Sequence, residues 1–439
     1  MPKKPFALPA LAFALVVLAC SYHLYTPLPD GIAEPAKLQV FMVFLKIMRA
    51  STNLIALISP YSHIETMDII MEMAMARHFY SAAAGDVKLT ETELAGVPVV
   101  IYRHVEADAT SAPATVFFHG GGFVLLSAKA YDFTTYDIAR GTKAVVVSVD
   151  YRRGLSHPFP AAVHDCINVT THLLREGQRY GIDVNRIGVA GDSAGGNLAT
   201  VVALHLGENR KTGGRRKPGE DLPALKFQAL FYPLLQAVDF WLPSYMDNND
   251  VTPAILNRNF ITYLLAVYFG LGQNAKHYGS VMANGDHLPS RVTKEYSKYV
   301  DRSQLYEQNK EGISFKRPSE IKDIIDPYSV DKERSSVDLE VHKLLHHKVT
   351  DPMFSPLFAA DVSQAPPTFL HVAEFDVLRD EGLLYARKLR DAGVKVITHY
   401  SKGGVHGEIT KLGTRHFEFR LGDIALEKMY EFVKETLSR

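Results

Sequence analysis

Residues 186–206 read RIGVAGDSAGGNLATVVALHL. A β-forming run ends at Gly191 and Asp192, a serine follows, and an apolar stretch of helical composition takes over. The centre is G-x-S-x-G, as Gly191-Asp192-Ser193-Ala194-Gly195. That pattern puts the serine on a sharp strand-to-helix turn. Small residues on either side keep such a turn free of clashes. The helix start behind it offers unpaired N–H groups and the positive end of a dipole. The pentapeptide alone occurs by chance and also fits a plain tight turn. The strand before it and the helix after it make Ser193 the candidate nucleophile.

Strands and helices alternate on both sides of this stretch. Candidate strands are 114–118, 144–149, 186–191, 225–231, 367–373 and 395–400, with helices expected at 131–141, 161–180, 194–207 and 380–392. This alternation predicts an α/β fold, a mostly parallel sheet with helices on both faces. Residues 86–105 alternate in polarity and break at Ala95-Gly96, which predicts a hairpin. Apolar helices are expected at 38–60, 66–80 and 257–271. The domain reading is a cytosolic tail 1–5, a span 6–25, linker and cap helices 26–85, and a catalytic domain 86–439 with a cap insertion 245–345. The charge-dense stretch 294–349 reads as solvated surface.

A nucleophilic serine needs a base, and the base needs an orienting acid. With this turn the chain order is serine, acid, histidine. In PTFLHVAEFDVLRDEG, Asp376 sits just past the carboxyl end of a strand, where such sheets gather functional residues. Asp380 and Glu381 are rivals, but they fall in the first turn of the next helix and suit its dipole. In KVITHYSKGGVHGE a strand and a glycine loop deliver His406. Its rivals are His399, inside the strand, and His416, on the helix beyond. A base must sit on a loop that reaches the serine, which favours His406.

Upstream, TVFFHGGGF ends a strand with a histidine and three glycines. It lacks the contexts of phosphate-binding glycine loops. Its other use is an oxyanion hole, where backbone N–H groups are aimed in advance at a developing negative charge. Gly120, Gly121, Gly122 and Ala194 are the candidates, with Gly121, Gly122 and Ala194 the expected donors. His119 is expected to order the loop rather than transfer protons. No cofactor and no metal is expected. His342, His346 and His347 share helical spacing but have no companion cysteines or HExxH pattern.

The 439 residues are 47% hydrophobic and 22% charged, with a formal net charge of zero. That balance argues against a nucleic-acid binder. No obligate protein partner is evident. From Pro5 to Pro29 there is no Asp, Glu, Lys or Arg, and Phe6–Tyr25 is long enough to span a bilayer. Lys3 and Lys4 predict a cytosolic N-terminus with the remainder across the membrane. A cleaved signal peptide after Val17-Leu18-Ala19 and a buried globular helix are the alternatives.

HGGGF, GDSAGG, DVLRDEG and VHG together resemble the hormone-sensitive-lipase group of α/β-hydrolases. YTPLPDGIAEP, FQALFYPLLQAVDFWLPSY and FSPLFAAD narrow the resemblance to the arylacetamide deacetylase and neutral cholesterol ester hydrolase family. The resemblance implies an α/β-hydrolase fold with Ser193, Asp376 and His406 as triad, acting on lipophilic carboxylic esters. It also implies a type II single-pass protein of the endoplasmic reticulum with a lumenal catalytic domain. An amide deacetylase, or a non-catalytic ligand-binding relative, are the alternatives. Two positions depart from the group's pattern: Arg153-Gly154 where Leu-Ala is usual, and Glu408 where an aromatic is common.

Overall fold

The computed structural model describes residues 23–75, 85–211, 222–306, 337–411 and 418–438. The hairpin forms as β1 (Val87–Leu94) and β2 (Val97–His104). Ala95 and Gly96 both take positive φ, +52° and +76°, which is the backbone of a tight two-residue hairpin turn. Beyond the hairpin come β3 (Ala112–Phe118), α3 (Asp132–Thr142), β4 (Val145–Val149), α4 (Ala161–Glu176), β5 (Ile182–Asp192), α5 (Ala194–Lys211) and β6 (Gln228–Phe231). The sheet is completed by β7 (Thr368–Phe375), α10 (Arg379–Asp391) and β8 (Val396–Val405), with α11 (Arg420–Leu437) closing the chain.

The eight strands lie in the order β1-β2-β4-β3-β5-β6-β7-β8. β1 and β2 run antiparallel to their neighbours, and every other pairing is parallel. β4, VVVSV, is buried at every position, as a strand covered on both faces must be. From β3 the chain crosses to β4 on one side, and then passes over to β5 on the other. Right-handed crossovers taken in opposite directions put α3 and α4 on opposite faces. Accordingly α3 packs with α11 and α4 with α5.

That reversal positions the site. Ligands bind where strand order reverses, beyond the carboxyl ends of the strands. Phe118 at the end of β3 pairs with Gly191 near the end of β5, so the HGGGF loop and the serine turn leave the sheet side by side. Phe375 pairs with Val405, so Asp376 and His406 leave β7 and β8 as neighbours. β8 reaches Val405, five residues beyond the expected end, because SKGGV keeps its register after an irregularity at Ala373–Phe375.

Helices cover this edge. α1 (Pro35–Ala56) and α2 (His63–Met75) pack on one another. Between β6 and β7 lie α6 (Arg258–Tyr268), α7 (Ala275–Asn284), α8 (Ser290–Tyr296) and α9 (Leu339–Val349). Asn257 caps α6 by accepting the Phe260 N–H at 2.8 Å. The buried stripe of α1, Leu38, Phe41, Met42, Leu45 and Met48, forms a small core of its own with Val251, Val405 and Phe419. Of the expected span, only residues 23–25 fall among the described ones. Among the described residues one helix is long and apolar enough to cross a membrane, and it is α1, a third of it buried.

Candidate functional site

The serine turn is a strained position held by its surroundings. Ser193 has φ +53°, outside the comfortable range of a residue with a Cβ. Its N–H donates to the Phe231 carbonyl at 2.9 Å, and its carbonyl accepts from Leu234 N–H at 3.2 Å. The flanking glycines are required by contact. A Cβ on Gly195 would lie 1.9 Å from the Phe118 oxygen, and one on Gly191 would lie 2.2 Å from the Gly195 oxygen. The turn is thus pressed against β3, and only hydrogen fits between.

Ser193 Oγ lies 3.0 Å from His406 Nε2. His406 Nδ1 lies 2.7 Å from Asp376 Oδ2. A carboxylate only accepts, so the Nδ1 of His406 carries the proton and Nε2 is left to accept from the serine. Asp376 is fixed in turn. Its Oδ1 accepts from Leu378 N–H at 2.9 Å, and its carbonyl accepts from the Asn248 amide at 2.9 Å. The Tyr232 ring packs on the His406 imidazole, with centroids 4.6 Å apart. The three side chains are almost wholly buried: 7% of Ser193, 8% of His406 and 1% of Asp376 is exposed.

The rival acids have other partners. Glu381 accepts the N–H groups of Leu235 and Gln236 and the hydroxyl of Tyr245 at 2.7, 3.0 and 3.0 Å. Burial pushes its carboxyl up to about 8. Asp380 accepts from Ser244 N–H at 2.6 Å and from the Arg379 guanidinium at 2.8 Å. Both carboxyls hold the loop after β6 against α10. His399 lies 3.1 Å from His371, nitrogen to nitrogen, and burial pushes it down to about 4. His416 lies outside the described residues.

The glycine loop divides its donors. The N–H of Gly120 donates to Asp192 Oδ1 at 2.8 Å, so Gly120 is not free to serve as an oxyanion donor, contrary to the expectation from sequence. The N–H groups of Gly121 and Gly122 donate no hydrogen bond within the described residues, and both glycines line the same cavity as Ser193 and His406. Ala194 opens α5, where an N–H has no partner one turn earlier. His119 is fully buried, its Nδ1 2.8 Å from the Gly120 carbonyl and its ring stacked on Tyr151 at 4.2 Å. Burial pushes it down to about 4, so the ring is neutral and its Nδ1–H donates to the loop.

The sequence did not reveal several supporting groups. Tyr131 donates to Asp192 Oδ2 at 2.9 Å, completing the clamp on Gly120. Burial raises the Asp192 carboxyl to about 6. Asp192 stands inside the quoted serine motif, but its neighbour Tyr131 carries no local signal. The cavity of about 140 Å³ next to Ser193 is walled by α1 and α2, through Phe41, Leu45, Met48, Met67 and Met71, and by Leu264 of α6.

A model of the alpha/beta hydrolase fold matches residues 115–294 and 320–410. The chain is 29% identical over 435 residues to human arylacetamide deacetylase-like 3, covering 98% of each chain. It is 30% identical to bovine neutral cholesterol ester hydrolase 1 over 405 residues, 90% of this chain and 91% of the relative. The chain belongs to the α/β-hydrolase family, in its arylacetamide deacetylase and neutral cholesterol ester hydrolase group. A thermostable esterase from Pseudomonas putida ECU1011 shares the fold, with a TM-score of 0.59 at 22% identity, covering 93% of this chain and 98% of that one.

Both departures from the group's pattern have partners in this α/β-hydrolase. Arg153 Nη1 lies 2.7 Å from Asp68 Oδ2. Asp68 Oδ1 accepts from Leu126 N–H at 2.8 Å, so Asp68 ties α2 both to Arg153 and to the chain just beyond the glycine loop. Glu408 Oε1 is 2.9 Å from His371 Nε2, and Glu408 Oε2 accepts the Val405 N–H at 3.2 Å. Glu408 therefore fastens the His406 loop to β7.

Proposed function

We propose that this α/β-hydrolase cleaves lipophilic carboxylic esters through an acyl-serine intermediate. The observation that carries the reading is the unbroken chain from Ser193 Oγ to His406 at 3.0 Å and on to Asp376 at 2.7 Å. Ser193 Oγ attacks the ester carbonyl carbon while its proton passes to His406 Nε2. Asp376 holds the imidazole in the required tautomer and stabilises the imidazolium. The oxyanion is received by the N–H groups of Gly121, Gly122 and Ala194. Collapse of this intermediate breaks the ester C–O bond, and His406 protonates the departing alcohol. A water, deprotonated by His406, then attacks the acyl-serine and releases the acid.

The apolar lining contributed by Phe41, Leu45, Met48, Met67, Met71 and Leu264 supports a lipophilic ester. Methionines suit irregular apolar groups because they repack readily. Relatives named as ester hydrolases and deacetylases support the same chemistry. On this reading residues 6–25 are a signal anchor of an endoplasmic reticulum membrane protein, and the catalytic region is lumenal.

The deciding test is Ser193→Ala, assayed on a chromogenic short-chain ester and by fluorophosphonate labelling. Turnover should fall by on the order of 10⁶, labelling should vanish, and the melting temperature should hold. Labelling and turnover that survive in a folded variant would overturn the assignment.

A further inference from the structure

We propose that the outer face of α1 lies in the surface of a lipid bilayer, so that one helix has the active-site cavity on one side and lipid on the other. The inference deepens the membrane part of the proposed function and rests on reading residues 6–25 as a span.

The outer face is apolar over most of its length, with Ser51 its polar position. Val40, Phe44, Ile47 and Leu54 recur at intervals of three, four and seven, which aligns them on one stripe of α1. Phe44, Ile47 and Leu54 are 41%, 51% and 68% exposed, and Leu57 and Ile58 beyond the helix end are 81% and 88% exposed. On α2, Ile69 and Met73 add two further exposed apolar side chains. An exposed patch of this extent marks an interaction surface. The inner stripe serves the site instead, where Phe41, Leu45 and Met48 line the cavity beside Ser193. α1 is thus apolar on both sides, and among the described residues the body of the protein packs on the inner one.

Two observations identify the occupant as lipid. The first is where the N-terminal apolar run ends. His23 and Leu24 are the last helical residues before an extended turn. The carbonyls of His23, Leu24 and Tyr25 all accept from Lys46 Nζ, at 3.4, 3.1 and 3.1 Å. Lys46 sits on α1 to one side of the stripe. The final carbonyls of a helix need donors from outside it, and a lysine at a membrane boundary supplies them. If residues 6–25 span the bilayer, their end is at its surface, and Lys46 brings the α1 stripe to that surface. The second is charge. No Asp or Glu occurs from Pro35 to Ile64. Lys37 is paired with Glu34 at 2.5 Å, and Arg49 turns inward over the Phe260 ring at 4.3 Å. The stripe itself carries no charged residue, and Lys46 beside it turns its ammonium to the carbonyls of residues 23–25. An apolar face flanked by a lysine suits a helix that lies in the plane of a membrane.

The test uses the full chain in phosphatidylcholine vesicles. Cys20→Ser removes one cysteine, and Cys166 is buried and unreactive. Single cysteines then replace Ile47, Leu54 or Lys395, and each carries an environment-sensitive fluorophore. Lys395 is the control, exposed just before β8, at the opposite end of the strands from the site. Lipids spin-labelled near the headgroup or deep in the acyl chain report depth. A helix lying in the interface sinks about 5–10 Å. Probes at 47 and 54 should be quenched by the shallow label more than by the deep one, and the probe at 395 by neither. Turnover of a soluble short-chain ester should match the parent in every variant. Vesicle-bound protein whose probes at 47 and 54 escape quenching would overturn the proposal. Blue-shifted emission at these sites without lipid quenching would also overturn it, and would assign the stripe to residues 1–22 or to a second copy. Failure to float with vesicles would remove the span reading and this inference together, and leave the ester chemistry standing.

Discussion

Gly120 gives its N–H to the Asp192 carboxylate at 2.8 Å, and Tyr131 grips the other oxygen at 2.9 Å. The second residue of the serine motif thereby holds the first glycine of the HGGGF loop. A Cβ on Gly120 would lie 2.7 Å from both Asp192 Oδ2 and the Tyr131 hydroxyl, so the clamp closes on a residue without a side chain. Asp192→Ala leaves a buried N–H and a buried hydroxyl without this partner, at about 1–3 kcal/mol. The expected result is a lower melting temperature and a kcat reduced more than in Asp192→Asn, which keeps an acceptor for Gly120. Equal activity in the two variants would show that the clamp does not position the loop.

Asp376→Asn keeps an oxygen for the Leu378 N–H but removes the acceptor that fixes the His406 tautomer. The expected loss in kcat is on the order of 10⁴, with KM little changed. Steady-state kinetics on a soluble ester measures it. A loss under tenfold would point to another orienting acid.

Gly195→Ala is a packing test. Its Cβ would lie 1.9 Å from the Phe118 oxygen and 2.6 Å from the His119 oxygen, and both belong to the backbone. Neither can yield without moving β3 from β5. Urea denaturation should show a loss of about 3 kcal/mol or more, with activity lost as well.

The buried Glu381 makes stability fall with rising pH. Its carboxyl is raised by burial from 4.5 to about 8. Between those values the unfolded chain releases this proton and the folded chain keeps it, so ionisation favours the unfolded state. The contribution is fully present below the lower value and is lost as pH rises to the upper one. The melting temperature of the parent minus that of Glu381→Gln should decline from pH 5 to pH 8. A flat difference would mean that Glu381 is ionised in the fold.

Arg153→Leu removes the ion pair that fastens α2 to the segment after β4. It leaves the largely buried Asp68 without its cation, at about 1–3 kcal/mol. Because α2 walls the cavity, KM for a lipophilic ester should rise by roughly tenfold, one step of 1.4 kcal/mol, with a smaller change in kcat. A change in kcat alone would place the effect in the loop instead.

Much of this architecture was legible because it is periodic. β4 reads as a nearly continuous β-branched run, and Ala95-Gly96 as a turn, because local chemistry fixes both. Ser193, Asp376 and His406 could be chosen by order along the chain and by their positions after strands. The structure brings those same three side chains within hydrogen-bond distance. Gly120 was misjudged because its N–H meets a carboxylate from another strand, and no local pattern encodes that pairing. Asn248 and Tyr131 were missed for the same reason: 128 residues separate Asn248 from Asp376, and 61 separate Tyr131 from Asp192. The role of α1 was half legible. Its apolar content predicted a helix, but which stripe faces Ser193 depends on how the chain folds back from residue 35 to β8.

That return has a consequence for how far the enzyme can be dismantled. Phe41, Leu45 and Met48 are part of the cavity wall, and their neighbours Leu38 and Met42 share a small core with Val405, the residue before His406. A fragment beginning at β1 would keep every strand and all three polar side chains of the site. It would also leave the serine open to bulk water on one side and strip an apolar cover from the histidine loop. The N-terminal helices are thus not a detachable accessory, and no catalytic module smaller than α1 through α11 is expected to retain the site.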